Sequence, residues 1–197
     1  MAEVDPRDVE DVERALGGDP DAYRGLVARH GKRVHDVARR MLRDAGAAED
    51  VTQQAFLNAW KALERFDTAR PFRHWILRIT SNLCRNVLAS RKVRHKLLRP
   101  RGGDDEVPDI QEVAPPPDPL SAAEPADPRL RAAIEALPEH HRLAVVLRYL
   151  HGLTIEGVAE VTGLPQNTVK THLHRGRASL RKLLEMPETE DDAPGTS

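Results

Sequence analysis

The side chains with the clearest chemistry lie near the carboxyl end of the sequence. Lys170, Thr171, His174 and Arg175 are spaced so that they share one face of a helix. Lysine and arginine can donate hydrogen bonds to N7 and O6 of guanine, and threonine can reach a base edge or a phosphate. The pattern therefore indicates a helix that contacts DNA.

This helix forms the second half of a predicted helix-turn-helix over residues 152–184. Thr154 can cap the first helix, Gly163 suits the tight turn, and Pro165 sets the backbone for the second helix. Apolar residues recur on the other face of the second helix: Val169, Leu173, Leu180 and Leu184. A short helix pair with a cationic second helix suits a major groove. Taken alone, the same residues could also form a helical hairpin whose basic face is merely solvated.

The formal net charge of −1 hides a strong segregation of charge. Residues 22–101 carry nineteen Lys and Arg against six Asp and Glu, and residues 129–185 carry nine against five. The segments 1–21, 102–128 and 186–197 are acidic. Basic blocks of this size favour a polyanionic partner, because binding releases the counterions of that partner. Any single charge can equally be an ordinary solvated side chain.

The other chemistry-bearing residues predict no catalytic, metal or cofactor site. Histidines come close in sequence at His140–His141 and at His172 and His174, but residues two apart in a helix do not share a face. No Gly-rich phosphate loop or nucleophile–base arrangement is visible, so we expect neither a cofactor nor an enzyme. Cys84, the single cysteine, excludes an intrachain disulfide, fits a reducing cytoplasm and is predicted to pack in the core.

Composition divides the chain into five segments with an all-α pattern. We predict an acidic N-terminal arm (1–19), a helical domain (20–99), a disordered linker (100–128), a second helical domain (129–185) and a disordered acidic tail (186–197). The linker is rich in proline and acids and cannot form a packed core. Stretched, it could span about 80–90 Å. No apolar run approaches the length of a membrane span, so no membrane insertion is expected.

Apolar periodicity predicts the helices of each domain. Four are expected in the first domain, near residues 21–30, 31–44, 47–66 and 71–93. Two short amphipathic helices, separated at Pro138, precede the helix-turn-helix in the second domain. Gly157 and Gly176 fall inside predicted helices, where a glycine costs about 1 kcal/mol of helix propensity.

Two stretches together resemble the extracytoplasmic-function sigma factors of bacterial RNA polymerase. In the first domain, AEDVTQQAFLNAWKAL followed by FDTARPFRHWILRITSNLCRN is close to the family's promoter-melting domain, sigma-two. In the second, ALPEHHRLAVVLRYLHGLTIEGVAEVTGLPQNTVKTHLHRGR is similar to its sigma-four domain. Thr52, Gln54 and Gly157 depart from the residues usual in the family, and His174 occupies a base-facing position that varies in the family. The resemblance therefore does not predict which promoter sequence is recognised.

The resemblance implies a cytoplasmic, stress-responsive initiation factor that binds core RNA polymerase and directs it to promoter DNA. Its fold would be two small helical domains joined by the linker. The residues implied to dock on the clamp helices of the largest polymerase subunit are Asp50, Gln53, Asn58 and Trp60. The polymerase flap and an anti-sigma factor are further implied partners. By itself, Trp60 could equally be a core residue.

The resemblance also implies a cluster that reads the minus-ten element as a melted single strand. Its members are Phe72, Arg73, Trp75, Arg78, Asn82, Arg85 and Asn86. An aromatic side chain can capture an unpaired base by stacking, which offsets the stacking lost on melting. One of the two aromatics is expected to be a core residue, and Trp75, in register with Ile79 and Leu83, is the better candidate.

The minus-thirty-five element is implied to lie in the major groove against the second helix of the helix-turn-helix. The residues assigned to it are Gln166, Asn167, Thr168, Lys170, Thr171, His174, Arg175 and Arg177. Arg177, together with Arg148 and Arg181, better suits phosphates or solvent than bases. The acidic linker could imitate nucleic acid in the polymerase cleft or act only as a spacer, and the acidic arms could mask the basic blocks.

Two other classes of protein fit the sequence less well. A stand-alone regulator with the same helix-turn-helix would need an effector or receiver domain in residues 1–128, and no alternation of strands and helices is visible there. Such a regulator would bind promoter DNA without polymerase. An enzyme is the third class, and the residues that would support it are lacking.

Overall fold

A computed structural model of the protein describes residues 4–98 and 127–185, and within them the chain is helical without strands. The α-helices are α1 (Pro6–Leu16), α2 (Pro20–Leu42), α3 (Ala45–Lys61), α4 (Phe72–Leu98), α5 (Pro128–Glu135), α6 (Glu139–Val145), α7 (Ile155–Thr162) and α8 (Gln166–Glu185). A 3₁₀ turn (Leu63–Arg65) follows α3, and a π-helical stretch (Val146–Leu150) extends α6. The predicted all-α class is confirmed. The predicted tail and nearly all of the predicted linker lie outside the described residues.

The predicted acidic arm contains α1, which packs against α2. Asp5 caps this helix by accepting a hydrogen bond from the backbone of Arg7, and Val12 and Ala15 are buried beneath it. Asp8 is also buried, where its carboxylate pairs with side chains of α2. The first structural module therefore comprises α1 to α4.

The helices predicted near 21–30 and 31–44 are wrong as separate elements, because α2 runs unbroken through Gly31. Asp19 caps the helix, accepting from the backbone N–H groups of Asp21 and Ala22. Leu26 and Val34 on either side of the glycine are fully buried. Apolar burial on one continuous face outweighs the low helix propensity of a single glycine.

The core of the first module lies between α2, α3 and α4. Its largest buried side chains include Met41, Phe56, Ile76 and Leu77. Cys84 is buried as predicted, and burial raises the pKa of its thiol to about 12, so the sulfur stays protonated and unreactive. None of the helices in the two described ranges combines the length and apolarity that crossing a membrane requires.

The second module comprises α5 to α8 and contains the predicted helix-turn-helix. Thr154 Oγ1 accepts a hydrogen bond of 3.1 Å from Gly157 N, which caps α7 as expected. Gly163 ends α7 with a φ of 72°, in the left-handed region that glycine favours. Val158 of α7 and Val169 of α8 are buried against each other's helices. The local signals in the sequence were sufficient to predict this element.

The two modules pack against each other through buried polar contacts. The Arg142 guanidinium of α6 is buried and donates 3.1 Å to Met41 O, at the C-terminal end of α2. Between α4 and α7, His74 Nδ1 lies 2.8 Å from Glu160 Oε2. A Cβ at Gly157 would lie 2.9 Å from His74 Cε1. Gly157 thus allows α7 to approach α4, a reason for glycine that helix propensity alone does not supply.

Candidate nucleic-acid interface

The exposed face of α8 contains the residues predicted for the minus-thirty-five element. All but one are exposed, Thr168 being half-buried: Gln166, Asn167, Lys170, Thr171, His174, Arg175 and Arg177. Val169, Leu173 and Gly176 on the opposite face are buried, so packing of this face fixes the rotation of the helix about its axis. The result is a polar and cationic surface on the second helix of a helix-turn-helix.

Two local features shape the packing around α8 and the turn before α7. A Cβ at Gly176 would lie 2.8 Å from Val145 Cγ2, so glycine permits the close approach of α6 and α8. Arg148 donates a 2.7 Å hydrogen bond to Leu153 O and so satisfies the backbone of the turn before α7. Its side chain is partly exposed, and its contact with phosphates or solvent stays a prediction.

The exposed side of α4 contains a second polar and cationic row. Arg78, Asn82, Arg85 and Asn86 are all exposed and recur at helical spacing. Arg85 Nη2 donates to Asn82 Oδ1 at 2.5 Å, which holds the guanidinium along the helix. These four of the seven residues predicted for the minus-ten element are accessible to a ligand.

The burial of the two aromatic residues in that predicted cluster is the reverse of what the sequence predicted. Phe72 is 1 % exposed and packs against Phe66, His30 and Trp75, with ring centroids 5.2–5.6 Å apart. It therefore cannot stack on a base, and its prediction as a DNA-binding residue is wrong. Trp75, predicted to be the core residue, is only half-buried and packs at 4.8 Å against Phe66. The first turn of α4 faces inward, which helical spacing did not reveal.

A cationic pair lies beside these aromatics. Arg73 is half-buried, and its Nε is buried without a hydrogen-bond partner. Burial lowers the pKa of Arg33, and the positive charge of Arg73 lowers it further. Arg33 was not predicted from the sequence, because its place beside α4 depends on the packing of α2. Two arginines held together in this way favour an anionic ligand.

A separate face on α3 contains the residues predicted to bind polymerase. Asp50, Gln53 and Trp60 are exposed, and Asn58 is half-buried. Trp60 is 45 % exposed and Leu57 is 54 % exposed, so this face offers two large apolar side chains to solvent. Leu57 was not predicted as a site residue, because apolar periodicity groups it with the core residues of its helix. An apolar patch bordered by polar groups is typical of a protein interface.

Histidines that are distant in sequence meet near α8. His140 and His141 at the start of α6 and His172 of α8 form one cluster, and their candidate ligand nitrogens lie within 4.8 Å of one another. The sequence predicted no metal site, since spacing within one helix cannot reveal a contact between two helices.

Comparisons with known proteins agree with this architecture. The Sigma-70 region 2 family matches residues 26–94, and the Sigma-70 region 4 family matches residues 128–180. The first match covers most of the module with the α3 and α4 faces, and the second covers the helix-turn-helix.

Individual relatives match over nearly their full length. The ECF RNA polymerase sigma factor SigW of Bacillus subtilis is 29 % identical over 177 residues, covering 88 % of this chain and 94 % of the relative. The sigma factor CnrH of Cupriavidus metallidurans is 32 % identical over 186 residues, covering 92 % and 97 %.

Solved structures show the same fold. The structure of CnrH in complex with the cytosolic domain of CnrY superposes with a TM-score of 0.66 at 28 % identity, covering 90 % of this chain and 97 % of that one. The sigma factor RpoE of Bartonella quintana, solved with the anti-sigma factor NepR, superposes at 0.64 with 17 % identity. The chain therefore belongs to the extracytoplasmic-function sigma factors, transcription initiation factors that direct RNA polymerase to promoters.

Proposed function

We propose that this sigma factor contacts a promoter at two elements while bound to core RNA polymerase. The α8 face reads the minus-thirty-five element in the major groove, and the α4 row reads the minus-ten element as a melted single strand. The α3 face docks on the clamp helices of the largest polymerase subunit, and the second module meets the flap. The observation that carries the proposal is the continuous exposed face of α8, cationic and borne on a helix-turn-helix.

The chemistry of the α8 face supports recognition of bases. Arg175 and Lys170 are exposed, and each can donate to N7 and O6 of guanine. Gln166 and Asn167 lie at the start of the helix, the part that approaches base edges in helix-turn-helix proteins. Arg177 lies about two helical turns beyond Lys170, farther from the start of the helix, and better suits a phosphate.

The α4 row supports binding of single-stranded DNA. Trp75 supplies the accessible aromatic surface that Phe72 does not, and base–aromatic stacking contributes about 1–3 kcal/mol per base. Arg78 and Arg85 provide positive charge for the sugar–phosphate backbone, and Asn82 offers polar groups to base edges. The row lies on the helix that continues directly from the buried aromatic cluster, so packing of that cluster positions it.

An anti-sigma factor is the regulatory partner that we propose. CnrH, which this chain resembles over 90 % of its length, was solved in complex with the cytosolic domain of CnrY. A partner that covers the α3 face would compete with polymerase for the same exposed Leu57 and Trp60. Competition between these two partners can be measured directly by displacement of labelled core polymerase.

The test is run-off transcription with core polymerase on genomic DNA, followed by sequencing of the transcript starts to define the two elements. Initiation at a common set of starts supports the proposal, whereas no initiation on any template overturns it. Tight, specific binding of the isolated chain to these promoters without polymerase would instead favour a stand-alone regulator.

Two arginine variants then separate base reading from backbone contact. Arg175→Ala is expected to weaken binding to cognate promoters by about 1–3 kcal/mol and to relax preference at one base pair. Arg177→Ala removes the same charge from the same helix, and we expect it to weaken binding to all sequences alike and to reduce the salt dependence. Footprinting titrations of holoenzyme on matched and mutated promoters distinguish these outcomes. Unchanged affinity and preference in Arg175→Ala would reject its assignment.

A further inference from the structure

Three imidazole rings converge at the junction of α6 and α8. The ring centroids lie 4.3 Å apart for His140 and His141, 4.8 Å for His140 and His172, and 5.4 Å for His141 and His172. One candidate ligand nitrogen from each ring lies within 4.8 Å of the other two. None of these three histidines is among the residues assigned to DNA or polymerase.

Two of these rings carry nitrogens that lack a partner within the protein. Nδ1 of His141 and Nδ1 of His172 are buried and accept or donate no hydrogen bond. A buried polar atom without a partner destabilises the fold, unless a ligand satisfies it.

We propose that His140, His141 and His172 together bind one Zn²⁺ ion. Imidazole nitrogen is a preferred zinc ligand, and three histidines with a solvent ligand complete a tetrahedral set. Tetrahedral bonds of about 2.1 Å place the nitrogens about 3.4 Å apart, so the rings must close from their present spacing. His140 is the exposed member of the three. The open side of the cluster then supplies the water.

The ion would connect two helices that otherwise meet through apolar packing. His140 and His141 lie in the first turn of α6, whereas His172 lies on α8 between the buried Leu173 and the exposed Thr171. A bound zinc ion therefore links α8, which carries the proposed DNA-binding face, to α6. Binding to the folded state alone raises the stability of the second module in proportion to the logarithm of free zinc concentration.

The experiment is calorimetric titration of Zn²⁺ into the metal-free full-length chain. We expect one saturable equivalent per chain and a rise in Tm with zinc concentration. His140→Gln and His172→Gln should each weaken binding at least about tenfold and abolish the zinc-dependent rise in Tm. His174→Gln, two residues further along α8 on its exposed face, should bind zinc like the wild type. Co²⁺ replaces Zn²⁺ as a probe of four-coordinate geometry through its visible absorption.

Each result decides the question. Absence of saturable binding, or unchanged affinity in His172→Gln, overturns the proposal. If circular dichroism shows that a variant is unfolded, the Co²⁺ spectrum of the wild type decides instead. A strong four-coordinate spectrum supports the site, and the weak spectrum of the hexaaquo ion overturns it.

Discussion

Phe72 and Trp75 lie side by side on the first turn of α4, yet they have different surroundings. Phe72 is fully buried in the aromatic cluster, whereas Trp75 keeps part of its ring exposed. An aromatic side chain can stack on a base only where its face is accessible. Of the two, Phe72 contributes to the core, and only Trp75 offers ring surface on which a base could stack.

Trp75→Ala is expected to reduce promoter melting, whereas Phe72→Ala is expected to unfold the first module. Loss of one stacked base costs about 1–3 kcal/mol, and truncation of a buried phenylalanine costs about 3–5 kcal/mol of stability. Permanganate reactivity of unpaired thymines measures the first effect, and urea unfolding measures the second. If Trp75→Ala melts promoters normally in holoenzyme, Trp75 is only a packing residue.

Asp8 connects α1 to α2 through a buried charge network. Its carboxylate lies 3.0 Å from His30 Nε2 and pairs with Arg29, which also contacts Asp11 at 2.7 Å. Burial alone would raise the pKa of Asp8, but the contacts from His30 and Arg29 outweigh it, so the pKa lies below the ordinary value of 3.8. The charge of this residue therefore stabilises the fold.

Asp8→Asn should lower the free energy of unfolding at pH 7 by about 1.5–3 kcal/mol, the contribution typical of hydrogen bonds to a buried charge. A lowered pKa contributes stability above pH 3.8 that is lost as the pH falls through the folded-state value. The deficit of the variant should accordingly shrink in acid, as urea unfolding at pH 7 and pH 3 would show. Asp21→Asn, which removes an exposed partner of Arg24, serves as the control with little effect. A deficit independent of pH would contradict the assigned role.

At the scale of the helix, Gly31 and Gly176 differ in the space that surrounds them. Gly31 lies in the middle of α2, where an added Cβ would have nothing within 4 Å, whereas a Cβ at Gly176 would lie 2.8 Å from Val145 Cγ2. Both glycines lower helix propensity equally. Of the two, only Gly176 permits a close approach between helices, here between α6 and α8.

Gly31→Ala is expected to stabilise the chain by about 0.5–1 kcal/mol, since it adds helix propensity without a clash. Gly176→Ala should instead destabilise the second module by about 1–3 kcal/mol through overpacking. Thermal unfolding followed by circular dichroism measures whether each variant is more or less stable than the wild type. Stabilisation in both variants would show that α6 and α8 can separate without cost.

The helices show which parts of the fold the sequence can predict. Local patterns correctly predicted the cap at Thr154, the turn at Gly163 and the exposed face of α8, because each depends on residues a few positions apart. Features that depend on tertiary packing were missed. Burial joins the two predicted halves of α2 at Gly31, and the orientation of α4 decides between Phe72 and Trp75.

At the scale of the whole molecule, the packing of the two modules bears on the proposed simultaneous contact with two promoter elements. A Cβ at Gly163 of the helix-turn-helix would lie 4.0 Å from Arg78 Nη2 of the α4 row, so the two proposed DNA surfaces begin side by side. The two promoter elements lie about 25 base pairs apart, or about 85 Å along the duplex. The predicted linker can just span that distance when stretched. If the two proposed surfaces bind their elements at the same time, the modules must separate on the promoter.

The contact between His74 and Glu160 is the place to test this separation. Glu160→Arg removes the carboxylate that contacts His74 and Arg70 and places a cation beside Arg70, and we expect it to shift the free chain toward separated modules. Spin labels at the exposed positions of Glu13→Cys and Lys182→Cys report the distance between the two modules by pulsed electron resonance, and the buried Cys84 should stay unlabelled.

The wild type should show a short distance between the labels that lengthens by tens of ångströms in the promoter complex. Glu160→Gln, which keeps the shape of the side chain, should shift the distribution less than Glu160→Arg. A short distance retained on the promoter would mean that the docked arrangement itself binds both elements, contrary to the separation argued from their spacing.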